Sequence, residues 1–102
     1  MASTPEGKVK TKVKKLLDSY GALHFSPMGT GYGVSGVSDI IALVCGTMIA
    51  IECKADGHKK PTELQLKFLR KVIDGGGRGL VIHKDNIHEL DGLLAAITEL
   101  EG

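Results

Sequence analysis

The chain has 102 residues, of which 42% are hydrophobic, 25% charged and 4% aromatic, and its formal net charge is +1. These values are typical of a single globular domain, 1–102, with one core of aliphatic side chains. No apolar run approaches the length of a membrane span, and the N-terminal segment lacks the apolar stretch of a secretory signal. We therefore expect a cytoplasmic protein.

Charge is unevenly distributed along the chain. Residues 1–60 carry eight lysines and five acidic residues, and residues 61–84 carry five basic and two acidic residues. Residues 85–102 carry five acidic residues and no lysine or arginine. This pattern suggests a phosphate-binding face with an acidic last helix turned away from it.

The first third of the chain predicts a helix, a strand and a glycine-rich loop. Apolar residues recur at helical spacing from about Pro5 or Glu6 to Tyr20, and Gly21 is expected to end the helix. A short strand is predicted from Ala22 to Ser26. The segment from Met28 to Gly36 contains four glycines but no Gly-Lys-Ser/Thr, so it predicts a mobile loop or hairpin beside a ligand rather than a P-loop.

The middle of the chain predicts a buried hairpin. The strand candidates run from Asp39 to Val44 and from Met48 to Lys54, around a Gly46-Thr47 turn. A polar loop follows as far as Lys60.

The last part of the chain predicts two helices and one strand. The second helix opens at Pro61-Thr62 and runs to about Asp74, and its buried stripe consists of Leu64, Phe68, Leu69, Val72 and Ile73. A strand is predicted from Gly79 to His83. The last helix is predicted from about Asn86 to Leu100, where Asn86 and Glu89 form a capping-box pattern. The order αβββαβα predicts an α/β fold with a mixed β-sheet flanked by helices.

The predicted hairpin brings three charged residues to one face. Around a Gly46-Thr47 turn, Asp39 lies opposite Lys54, and Glu52 points to the same side of the sheet. Asp39 and Glu52 are then diagonal neighbours with Cα atoms roughly 7–8 Å apart. Two carboxylates at this separation can converge on one hard cation.

These residue types suit phosphodiester hydrolysis. Mg²⁺ accepts one or two carboxylates and also binds phosphate oxygens. Such an ion would stabilise charge on a phosphodiester, and Lys54 could hold or deprotonate the attacking water or neutralise the phosphate. A plain salt bridge between Lys54 and one carboxylate explains the same spacing about equally well.

The cysteines and histidines are weaker candidates for chemistry. Cys45 and Cys53 both lie in apolar strand-like runs, which predicts reduced thiols in the core. No histidine has a second ligand at a useful spacing, so zinc is not expected. His24 and His83 fall on apolar strand segments, His58 lies on the polar loop, and His88 lies on the last helix.

The motifs GVSDI, IAIECK, TELQLKFL and GGRGLVI, in this order and with these gaps, are similar to the VRR-NUC family (virus-type replication-repair nucleases) of the PD-(D/E)xK superfamily. The resemblance covers nearly the whole chain and implies a restriction-endonuclease-like fold. It also implies a Mg²⁺- or Mn²⁺-dependent DNA endonuclease, in a bacterial or phage-infected cell.

By the resemblance, Asp39 and Glu52 would be metal ligands, together with the backbone carbonyl of Cys53, and Lys54 would be the catalytic lysine. Ser38 precedes Asp39 where the family often has proline. This departure should alter the stiffness of the loop more than the chemistry, because the carboxylate remains.

The resemblance extends to two residues that have strong structural alternatives. Gln65 matches the family's catalytic glutamine, but Thr62-x-x-Gln65 is also a capping-box pattern. Glu6 matches an acidic metal-site residue of the first helix, but any acid in a first helical turn is favoured by the helix dipole.

Two groups of basic residues are candidates for DNA contact. The first helix carries Lys8, Lys12 and Lys15 along one flank, for which a solvated face is the favoured interpretation. The loop residues His58, Lys59 and Lys60 could contact the DNA backbone.

Lone domains of this kind resemble Holliday-junction resolvases, which act as homodimers in DNA repair and recombination. Two matched cuts in a four-way junction require two active sites related by two-fold symmetry. Three alternatives stay open: a nuclease for flap or fork DNA, a catalytically silent DNA-binding module of the same fold, and a structural domain whose charges merely pair.

Overall fold

The computed structural model describes residues 4–27 and 36–101, and it confirms the predicted element order. None of the helices in these ranges is both long and apolar enough to cross a membrane. The predicted glycine loop lies outside the described residues except for Gly36. The elements are α1 (Pro5–Ser19), β1 (Leu23–Phe25), β2 (Ile40–Val44), β3 (Thr47–Cys53), α2 (Glu63–Asp74), β4 (Arg78–Ile82) and α3 (Ile87–Glu101).

The four strands form one mixed sheet in the order β1-β2-β3-β4. The first three strands are antiparallel, and β4 runs parallel to β3, to which α2 connects it. Alternate residues of β3 therefore enter two separate apolar clusters. Ile49, Ile51 and Cys53 pack with buried residues of α1 and α3, whereas Ala50 packs with Leu69 of α2.

The turn of the β2–β3 hairpin lies one residue earlier in the chain than predicted. The turn residues are Cys45 and Gly46, both with positive φ, and Thr47 is already paired with Val44. The predicted Gly46-Thr47 turn is therefore wrong, and every pair is displaced by two residues. Cys45 is exposed in the turn rather than buried in the core, whereas Cys53 is buried as predicted.

One predicted helix start and one predicted capping box are also corrected. Thr62 is the N-cap of α2, so this helix begins at Glu63. The Asn86–Glu89 capping box is wrong, because the Asn86 side chain turns back to β4: its Oδ1 accepts from the amide of His83, and its Nδ2 donates to the carbonyl of Val81. Asn86 thus ties the end of β4 to the start of α3.

The apolar stripe of α2 is only partly buried. Leu69 is buried and Phe68 and Val72 are partly so, but Leu64 and Ile73 are 54% and 51% exposed. The helix packs mainly against β3 and β4, and Leu69 also meets Ile41 of β2 in one small apolar cluster. The predicted stripe is therefore wrong at both of its ends.

Gly36 has a backbone conformation and a position that exclude a side chain. Its φ is +73°, and a Cβ atom built on it would collide with the carbonyl oxygen of Leu64. Gly46 has a similar φ of +78°, but a Cβ atom added there would meet nothing within 4 Å. Gly36 therefore lets the chain entering β2 touch the first turn of α2.

We expect Gly36→Ala to lower the free energy of unfolding by more than Gly46→Ala does. Both variants bear the left-handed strain of about 1–2 kcal/mol, but only Gly36→Ala must also push the backbone of α2 away. Urea denaturation measures the difference. Equal midpoints for the two variants would contradict the close approach of Gly36 to Leu64.

Candidate active site

The charged residues predicted on the hairpin meet where β2 begins and β3 ends. Asp39 immediately precedes β2, Glu52 is the second-last residue of β3, and Lys54 follows that strand. Continuing the observed register by one residue places Asp39 directly opposite Glu52, and not opposite Lys54 as predicted. The displacement by two residues preserves which side chains share a face, so the predicted convergence survives the error in the turn.

The Asp39 carboxylate accepts a hydrogen bond where the sheet ladder would otherwise supply a backbone carbonyl. The ladder between β2 and β3 ends at the Ile40–Ile51 pair, and the next inward-facing amide, that of Cys53, donates to Asp39 Oδ2 at 2.8 Å. This bond fixes the carboxylate beside the end of β3. Asp39 Oδ1 lies 3.5 Å from the ammonium group of Lys10 on α1.

The Glu52 carboxylate is buried and only half satisfied. Its side chain is 2% exposed, and its Oε2 atom lies 3.3 Å from Lys54 Nζ. Its Oε1 atom is buried without a hydrogen-bond partner among the described residues. Burial, together with the nearby charge of Asp39, raises the pKa of Glu52 although Lys54 opposes the shift. A proton, a hydrogen-bond donor or a cation would each satisfy this oxygen.

Lys54 and Gln65 form the third part of the site. Lys54 Nζ donates to Gln65 Oε1 at 3.3 Å, and the same oxygen accepts from the amide of Thr62 at 2.8 Å. The Thr62 hydroxyl accepts in turn from the amide of Gln65, which completes the capping box. The two interpretations of Gln65 are thus compatible: the helix cap holds the amide that contacts the lysine.

Lys10 is a site residue that was not predicted from the sequence. Its ammonium lies 3.5 Å from both Asp39 Oδ1 and Glu6 Oε2. Burial alone would lower the pKa of Lys10, but the carboxylates of Asp39 and Glu6 outweigh it and raise that pKa. The spacing of Glu6 and Lys10, one helical turn apart, was the available signal. The structure therefore brings Glu6 near the site through Lys10.

The predicted DNA-contacting residues all have exposed side chains. Lys8 and Lys12 line a shallow hollow on α1 together with Lys84. Their contact with DNA stays a prediction. The other residues of this set are Lys15, on α1, and His58, Lys59 and Lys60, which follow Lys54 in the loop before α2.

The donor set fits a hard divalent cation. Among the described residues no three His, Cys, Asp or Glu side chains come together as a ligand set. Mg²⁺ needs only one or two carboxylates, and Asp39 with the half-satisfied Glu52 supplies two. Burial, reinforced by Asp39, raises the pKa of the Cys53 thiol to about 12, so the carbonyl and not the sulfur of this residue suits such an ion.

The architecture is that of a restriction-endonuclease-like α/β fold. More narrowly, the chain is similar to a solved structure described as a VRR_NUC domain, with a TM-score of 0.71 and 22% sequence identity. The match covers 95% of this chain and 97% of that chain. No family model and no curated protein matches the sequence. The structural likeness establishes the fold and confirms the predicted fold class.

We expect Glu52→Gln to raise the melting temperature of the metal-free protein at neutral pH. Because the pKa of Glu52 is raised in the folded state, protonation of Glu52 stabilises the fold at a pH below 4.5, the ordinary pKa of a glutamate. This stabilisation is lost as the pH rises through the folded-state pKa. The neutral amide avoids the loss. Each kcal/mol of this gain corresponds to roughly 4–8 °C in a domain of this size.

Thermal denaturation in EDTA as a function of pH measures this gain. Wild type and Glu52→Gln should converge in acid, whereas Glu63→Gln, which alters an exposed carboxylate on α2, should show no such gain. A Glu52→Gln protein that is less stable than wild type at neutral pH would mean that the carboxylate is adequately compensated without metal.

Proposed function

We propose that this protein is a metal-dependent nuclease of the PD-(D/E)xK type. The observation that carries the proposal is the buried Glu52 carboxylate, with one oxygen lacking a partner among the described residues, beside Asp39 and Lys54 at the end of a hairpin. The VRR_NUC-like fold supports it, because the structure that this chain resembles is named for a nuclease domain.

In this proposal Asp39 and Glu52 hold Mg²⁺ or Mn²⁺, and the carbonyl of Cys53 is a third ligand. The carbonyl and the amide of a strand residue point to the same side, and the Cys53 amide already contacts Asp39. The ion would act as a Lewis acid on the scissile phosphate and lower the pKa of a bound water. Glu6 is a further ligand if its side chain leaves Lys10.

Lys54, oriented by Gln65, would position the attacking water. The ammonium of Lys54 lies within 3.3 Å of both Glu52 Oε2 and Gln65 Oε1, so its position is set from two sides. From there it can hold a water for in-line attack or neutralise charge that develops on the phosphate. Gln65 orients Lys54 because its own carbonyl oxygen is held by the amide of Thr62.

We propose that exposed basic residues bind the phosphate backbone on either side of this site. The α1 residues precede or follow Lys10, which contacts Asp39, and the loop residues follow Lys54 directly. Phosphate contacts of this kind position DNA without reading its sequence. The residues are Lys8, Lys12 and Lys15, and His58, Lys59 and Lys60.

The preferred substrate in this proposal is branched DNA, and a four-way junction in particular, cut by a homodimer. A dimer with two-fold symmetry carries two active sites. The same symmetry relates the two opposed strands of a four-way junction, so such a dimer can cut both strands. Shape and phosphate contacts are sufficient to select a branched structure.

We expect Asp39→Asn, Glu52→Gln and Lys54→Ala each to reduce cleavage by on the order of 100-fold or more. The first two variants remove a metal ligand, and the third leaves both ligands in place. DNA binding should be nearly unchanged in all three, and circular dichroism checks that each variant is folded, above all Lys54→Ala, which removes the partner of the buried Glu52. The assay compares a four-way junction, a flap, a fork and linear duplex, with Mg²⁺ or Mn²⁺ and with EDTA.

The pattern of products tests the finer parts of the proposal. Symmetric metal-dependent nicks on the junction, together with a dimeric mass by sedimentation, would support a resolvase. Cutting of flaps or forks instead would change the proposed substrate but leave the proposed active site unchanged. Undiminished cleavage by any of the three variants would contradict the assigned chemistry, and DNA binding without cutting would favour a silent DNA-binding module.

We expect Lys10→Met to strengthen Mn²⁺ binding in the absence of DNA. The ammonium of Lys10 lies 3.5 Å from Asp39 Oδ1, so it competes with a metal ion for the same carboxylate. Removing it should lower the dissociation constant by roughly tenfold, or about 1.4 kcal/mol. Isothermal titration calorimetry measures the change.

Lys14→Met is the matched control for Lys10→Met, since it removes the same charge one turn further along α1. It should leave the dissociation constant nearly unchanged. Weaker Mn²⁺ binding by Lys10→Met than by wild type would show that Lys10 holds Asp39 in place instead of competing for it.

A further inference from the structure

A hollow of about 550 Å³ opens on the α2 side of the sheet, at the edge formed by β4. Aliphatic groups of Val81, Leu66 and Pro61 line part of it. Lys59, Lys60 and His83 line the rest. Its volume falls within the range of sites that bind small organic molecules.

The hollow is continuous with the candidate active site. Val81 pairs directly with Glu52, so their Cα atoms lie about 5 Å apart on neighbouring strands. The Lys54 amide donates to the carbonyl of Ile82, which carries the same register one step further and places His83 beside Lys54. Val81 and His83 therefore lie one strand away from Glu52 and Lys54, on the same face of the sheet.

The His83 side chain is held in one orientation at the mouth of the hollow. Its Nδ1 atom accepts from the amide of Asp85 at 3.2 Å, so the ring proton resides on Nε2 and is the donor that this ring can offer. Its ring lies against Gly57, where an added Cβ would be 3.4 Å from Nε2. The Asn86 side chain fixes the backbone of His83.

The lining combines the two kinds of group that a nucleotide requires. The exposed ammonium groups of Lys59 and Lys60 and the N–H of His83 suit phosphate oxygens. The aliphatic surface of Leu66 and Val81 can bury one apolar face of a base or sugar. A lone inorganic anion would use only the first of these two sets.

We propose that this hollow binds one unpaired nucleotide of the DNA strand, adjoining the scissile phosphate. This inference rests on the proposed function and names its substrate more closely. A base that is stacked and paired within a duplex cannot enter a lateral pocket, so the nucleotide must be unpaired or splayed from its neighbours. The enzyme would accordingly favour DNA in which a nucleotide next to the cut is unpaired or splayed, as at a branch point, over continuous duplex.

Binding of fluorescently labelled tetrathymidylate in EDTA tests the pocket without catalysis. Leu66 is 44% exposed, so Leu66→Glu adds a negative charge to the hollow at little cost to folding. We expect the variant to bind on the order of tenfold more weakly than wild type. Circular dichroism checks the fold, and His83→Phe, which keeps the ring and loses its N–H, should weaken binding to a smaller extent.

Ile73→Glu is the matched control, since it adds the same charge to nearly the same face of α2 about 10 Å further along. It should alter binding by less than about twofold. Equal weakening by Leu66→Glu and Ile73→Glu would overturn the pocket. So would displacement of the oligonucleotide by inorganic phosphate as readily as by thymidine 5′-monophosphate.

A cleavage arm separates this inference from the proposed function on which it rests. With Mg²⁺, wild type should cut a duplex carrying an unpaired residue faster than continuous duplex, and Leu66→Glu should lose that preference. If the protein cuts DNA in a metal-dependent way but Leu66→Glu binds the oligonucleotide as tightly as wild type, the pocket alone is overturned. Binding that depends on Leu66, with no cutting of any substrate, overturns the nuclease alone.

Discussion

The organisation of this molecule depends on one buried carboxylate. Glu52 is 2% exposed at the end of β3, and the cost of removing a charged carboxylate from water is several kcal/mol. Lys54 compensates one of its oxygens, and the other has no hydrogen-bond partner among the described residues. An apolar residue of similar size would spare the fold this cost. The carboxylate is therefore not explained by the stability of the fold, which is the reason for proposing that it holds a metal ion.

Alternation along β3 keeps this costly residue apart from the main core. Ile49, Ile51 and Cys53 face α1 and α3, in a cluster built of aliphatic side chains. Ala50 and Glu52 face α2, where the apolar cluster is small and several residues of the helix are only partly covered. The thin α2 side can thus contain polar groups and an open hollow without disturbing the packing that holds the domain together.

Periodicity predicted the elements and the fold class from sequence because the strands of the hairpin are apolar and the helices amphipathic. Periodicity could not place the turn, because Cys45 is an apolar residue of the kind found in strands. Only its positive φ shows that it lies in the turn. The grouping of Asp39, Glu52 and Lys54 survived because a displacement by two residues retains the face. Lys10 was missed because its partner Asp39 comes from a distant element, and such pairing is tertiary information.

The cap of α2 couples the stability of the fold to the proposed chemistry. Gln65 Oε1 accepts from the Thr62 amide at 2.8 Å and from Lys54 Nζ at 3.3 Å, so one atom both closes the helix and orients the lysine. Gly36 touches the same turn through the carbonyl of Leu64 as the chain approaches Asp39. The first turn of α2 thus contacts segments that carry both Lys54 and Asp39. Small movements of this turn would change the separation of the groups that, in the proposed function, meet a metal and a phosphate together.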